Sequence, residues 1–61
     1  MTNWEVELTI TSRHTGKFHG LLILTVPAEV EGGAIAIAKE RAMDMLTNRF
    51  EVQCNGATKI G

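Results

Sequence analysis

Two histidines and one cysteine, His14, His19 and Cys54, are the soft or borderline metal ligands of this sequence. No pair of them has the Cys-x2-Cys or His-x3-His spacing that brings two ligands onto one ion. Cys54 as a nucleophile would need an accessible, electropositive surround to hold its thiolate. Its place between the polar residues Gln53 and Asn55 marks it instead as a small inward-facing side chain. Carboxylates pair at Glu5 and Glu7 and again at Glu40 and Asp44, spacings that put each pair on one strand face or one helix face. General acid catalysis asks for a carboxyl desolvated in a cleft, and both pairs are expected on solvated faces. Gly32-Gly33 could cradle a phosphate through backbone N–H groups at a helix start, but Glu29 and Glu31 beside it repel an anion and no P-loop pattern surrounds it. No nucleophile, base and oxyanion donor can be assembled from these residues. The chain is therefore expected to be non-enzymatic, with no catalytic residue, no cofactor and no metal.

What remains is contact chemistry. Arg13, His14, Lys17 and His19 crowd into one short stretch of a chain whose six Lys and Arg against seven Asp and Glu leave a net charge of −1. A basic β-ribbon can grip phosphates or enter a DNA groove, so these four are the candidate nucleic-acid contacts. Glu5, Glu7, Glu40 and Asp44 make the candidate acidic contact face toward a protein. The net charge supplies no global field drawing the chain to nucleic acid or anionic lipid. A protein partner is the favoured expectation and nucleic acid the alternative.

The elements that carry these residues follow from hydrophobic period. From Trp4 to Ile10 apolar and polar residues alternate, Trp4, Val6, Leu8 and Ile10 against Glu5, Glu7 and Thr9, as in a half-buried strand. From Phe18 to Val26 the same period puts Phe18, Gly20, Leu22, Leu24 and Val26 on one face and His19, Leu21, Ile23 and Thr25 on the other. A three-residue loop His14-Thr15-Gly16, with Gly16 left-handed in a G1 bulge, pairs Arg13 with Lys17, Ile10 with Gly20, Leu8 with Leu22, Val6 with Leu24 and Trp4 with Val26. Both apolar faces then coincide. Pro27 cannot donate to a central ladder, so the second strand is expected to stop there.

A helix is expected from about Glu31 to Thr47, with Ile35, Ala38, Ala42, Met45 and Leu46 on the buried stripe flanked by Ala34, and with Ile37 and Met43 off it. Glu29 and Glu31 at its start and Arg49 beyond its end suit the helix dipole, and Asn48 is the expected left-handed stop. Phe50, Val52 and Cys54 alternate with Glu51 and Gln53 as a third strand ending at Asn55-Gly56, a turn signal after which Ala57 to Ile60 folds back as a short fourth strand or trails off. The fold class is α+β in the order ββαβ: a three-stranded antiparallel sheet, order 3-1-2, with one helix on one face. That leaves Leu21 and Ile23, beside Thr9 and Thr11, on the uncovered face as the candidate interface, since exposed apolar patches mark contact sites.

At 61 residues the chain is expected to be one domain, residues 1–61, and folding at this size removes only about 60% of the unfolded surface from water. Small chains lean on a staple; a lone cysteine rules out an intrachain disulfide, so a partner subunit, in the simplest case a homodimer through the second strand, is the expected one. The 44% hydrophobic content argues against disorder. The apolar run Leu21 to Leu24 is far too short to cross a bilayer, and the expected location is cytoplasmic, with no membrane partner.

Trp4 in the opening strand, Thr25-Val26-Pro27-Ala28 entering an Ala-rich helix across Ala34 to Met45, and a closing strand with Asn55-Gly56 give a chain that resembles the small accessory proteins encoded by phages and prophages. The resemblance covers most of the chain in size and style. It implies stoichiometric binding to a host protein, including inhibition of a defence protein such as a CRISPR effector, and it carries over no functional residue. Three roles follow as expectations: a protein-binding module or inhibitor, a nucleic-acid binder, and a self-assembling structural subunit.

Overall fold

A computed structural model describes residues 2–46 and 48–61. The order is β1 (Thr2–Ser12), β2 (Phe18–Ala28), α1 (Glu31–Met45) and β3 (Phe50–Lys59). The strands form one antiparallel sheet in the order β2-β1-β3, the expected 3-1-2, and α1 lies across one face of it. Alternation in β1 sets the layers: Val6, Leu8 and Ile10 are buried beneath the helix, with Val26 and Ala28 of β2. The helix contributes only alanine to that buried layer, Ala34, Ala38 and Ala42 at four-residue spacing, so its backbone can lie close on the sheet. Trp4, Leu22, Leu24, Ile37, Val52, Cys54 and Ala57 close around the edges. Trp4 satisfies its ring N–H with the Ala28 carbonyl at 3.0 Å. Cys54 is half-buried against the core, the structural place its alternation implied.

The register from Trp4–Val26 to Ile10–Gly20 is the one that the apolar faces require. The loop below it differs. Ser12, not Arg13, closes the hairpin: its N–H reaches the Lys17 carbonyl at 2.9 Å and its carbonyl accepts from Gly16 N–H at 2.7 Å, with Gly16 left-handed at φ 73°. Arg13 cannot serve there, because its N–H is donated across the sheet to the Arg49 carbonyl at 2.7 Å. The four-residue loop costs one step of register, and a bulge at His19 restores it, since Thr11 pairs with Phe18 but Ile10 with Gly20. Beyond the bulge the faces exchange: Phe18 lies opposite Thr11 on the open face and His19 turns to the helix side, its ring 4.5 Å from that of Phe50.

Three further expectations are corrected. First, β2 runs through Pro27 to Ala28. Asn3 gives its N–H to Gly61 and accepts from Ile60, so its backbone faces β3, and the strict alternation of an antiparallel ladder turns the nitrogen of its neighbour Pro27 to the free edge, where no donor is required. Second, Asn55-Gly56 is no hairpin, and there is no fourth strand among the described residues. β3 continues to Lys59, and a second bulge at Asn55, between the pairs Leu8–Cys54 and Glu7–Gly56, absorbs the irregularity. Third, α1 ends at Met45: Leu46 is extended at φ −108° and donates to the Ala42 carbonyl, so the helix stops before Asn48, the expected left-handed stop, is reached. Thr47, the expected last residue of the helix, lies outside the described residues. Met45 is exposed and Ile37 packs on the core, so the buried stripe is rotated from the expected one toward Ala34.

Candidate protein-binding surface

The side of the sheet away from α1 is uncovered, and its chemistry is sorted by strand. On β2 the register puts Phe18, Leu21, Ile23 and Thr25 there, with Phe18 exposed by 66% and Leu21 and Ile23 by 55% each. The strip from Phe18 to Ile23 spans four residue steps along β1, from Thr11 to Glu7, and at about 3.4 Å per residue is roughly 14 Å long, a size at which exposed apolar surface calls for a contact partner. Phe18 was assigned to the core side by simple alternation; only the His19 bulge brings it beside Leu21, and no feature of the sequence announces that bulge.

On β1 the same face carries Glu5, Glu7, Thr9 and Thr11, and on β3 it carries Glu51, Gln53, Gly56 and Thr58. Asn55 at its bulge reaches across to both Thr9 Oγ1 at 2.6 Å and Glu7 Oε2 at 3.2 Å, donating through its side-chain amide. Gly56 opposite Glu7 has no side chain, which opens a shallow hollow of about 270 Å³ lined by Glu5, Glu7, Ile23, Asn55, Gly56, Ala57 and Thr58. The candidate interface Leu21, Ile23, Thr9 and Thr11 and the acidic pair Glu5 and Glu7 are thus brought onto one surface. Glu40 and Asp44 are not: both are exposed on α1, on the other side of the sheet. The four carboxylates do not form one acidic face.

The basic residues collect at the hairpin end. Arg13, His14 and Lys17 are exposed, and the α1–β3 loop adds Arg49, which sequence spacing had assigned only to the helix dipole. Ser12, Arg13, His14, Thr15, Asn48, Arg49 and Phe50 line an open hollow of about 690 Å³ there. Arg13 already leans on Glu51 at 3.9 Å and on the Phe50 carbonyl at 3.5 Å, while His19 lies against Phe50 instead of joining the cluster. Among the described residues no three of His, Cys, Asp and Glu gather to hold a metal ion, and no helix is long and apolar enough to cross a membrane. No protein-family model matches the chain, and no curated protein or solved structure is significantly similar to it.

Proposed function

We propose that this chain is a non-enzymatic protein-binding module whose contact surface is the open sheet face. The observation that carries the reading is the strip Phe18, Leu21 and Ile23, each more than half exposed on a face that none of the described elements covers. Large side chains held in a row on a rigid strand lose little entropy on docking, which favours them as contact anchors. The hollow between Glu5, Glu7 and Gly56 supplies the polar half of the surface, and the partner it fits has an apolar patch with a Lys or Arg beside it. Resemblance to phage and prophage accessory proteins supports a cytoplasmic host protein as that partner and inhibition by occlusion as the role, a defence protein such as a CRISPR effector being the leading case.

A photo-crosslinking residue at Leu21, compared in cells with one at the exposed helix position Arg41, tests the reading. A single protein adduct at Leu21, absent at Arg41 and lost in Leu21-labelled chain carrying Ile23→Asp with unchanged thermal unfolding, supports it. Equal labelling at both positions, or none at Leu21, sinks it. The convergence of Arg13, His14, Lys17 and Arg49 at one end favours nucleic acid as the second reading. It requires binding that weakens with salt and a salt slope that falls by about one unit for each phosphate contact removed in Arg13→Ala or Lys17→Ala.

A further inference from the structure

We infer that the free edge of β2 pairs with the β2 edge of a second copy of this chain, antiparallel across a two-fold axis at Ile23, making one six-stranded sheet. The inference concerns the strand's backbone and stands apart from what the open face binds.

Hydrogen-bond direction is the first support. Asn3 and Arg13 send their backbone N–H groups toward the β3 side, and Ser12 sends its N–H to Lys17. Odd residues of β1 therefore face β3 and even residues face β2. In β2 the partners of the even residues, Leu22, Leu24 and Val26, turn inward, which leaves the N–H and C=O of Leu21, Ile23 and Thr25 directed out of the sheet. Those groups form an unpaired row, the template that another strand recognises. The row is bounded: the His19 bulge ends it on one side and Pro27, which has no N–H, on the other.

Self-complementarity is the second. An axis at Ile23 pairs Ile23 with itself and Leu21 with Thr25, and it is the only centre at which all three outward-facing residues find outward-facing partners. Pro27 of one copy then faces the His19 bulge of the other, so the bonded row has the same two ends in both copies. The axis is normal to the sheet, so both helices lie on one side and the two apolar strips adjoin on the other.

Sedimentation of the purified full chain over a wide concentration range tests the inference, with amide exchange at Leu21, Ile23 and Thr25. The expected result is a reversible rise from the 6.7 kDa chain mass to twice that value, with those three amides slowing as the dimer forms. Thr25→Pro removes an outward donor without touching the β1 ladder and weakens the dimer about tenfold or more, as the loss of edge bonds does. A mass fixed at that of one chain overturns the inference. So does a dimer in which the three amides exchange as in the monomer, or one that Thr25→Pro leaves unchanged. Loss of crosslinking at Leu21 with the dimer intact would count against the open-face reading alone.

Discussion

The sheet has two edges, and they are built differently. β3 is interrupted mid-strand by the Asn55 bulge and carries Glu51 and Lys59 along its length, the devices that keep a sheet edge from recruiting another strand. β2 has its bulge at one end, its proline at the other, and between them Leu21 to Thr25 without a charge. Both strands pair with the same β1 and both flank the same helix, so the contrast does not arise from the needs of the core. One edge carries features that discourage strand addition and the other lacks them from Leu21 to Thr25. Where a small chain places charges and a mid-strand bulge on one edge only, the other edge is the place to look for a contact.

The comparison can be broken most severely through the strand both edges share. Leu8 is fully buried under α1 and pairs with Leu22 on one side and Cys54 on the other. Leu8→Ala should cost about 2–5 kcal/mol, a large part of what a domain of this size holds. Urea denaturation followed by circular dichroism measures it, and a loss below 1 kcal/mol would mean that the helix does not press on the sheet there. A smaller effect isolates the closed edge. Asn55→Ala removes the amide that bonds Thr9 and Glu7, and should cost about 0.5–1.5 kcal/mol while leaving the β2 edge unchanged. The same denaturation reads the cost, and amide exchange along β3 shows whether the bulge slips.

How much of this was legible depends on whether a signal was periodic or local. Trp4, Val6, Leu8 and Ile10 repeat often enough that one face must be buried, which sets the pairing from Trp4–Val26 to Ile10–Gly20 and the uncovered face, while the strand order follows from the helix crossover between β2 and β3. Bulges break the period by one residue and carry no composition of their own. Phe18 and His19 therefore looked like ordinary members of an alternation whose faces they in fact exchange. Asn55-Gly56 looked like a hairpin because the same residue types suit a tight turn and a bulge; β1, with eleven residues, has length enough to keep β3 paired past them. Arg49 joined the basic end through the Arg13 N–H···O=C contact, a long-range pairing that no local pattern encodes.

Pro27 gives the finest test, because the sign of its effect decides which way its backbone faces. If its nitrogen looked toward β1, Pro27→Thr would supply a missing ladder donor and stabilise the monomer. With the nitrogen at the free edge, as the bonds of Asn3 require, the new N–H gains nothing inside the chain. The substitution then costs about 0.4–1 kcal/mol, the entropy that proline had withheld from the unfolded state. Denaturation at concentrations too low for self-association measures that loss. The same variant at high concentration should associate no more tightly than the parent, since about an axis at Ile23 position 27 of one copy meets the His19 bulge of the other, where the outward row has already ended. Lower stability together with unchanged association would place the Pro27 nitrogen at the free edge and outside the bonded row, whereas a gain in stability would turn it toward β1.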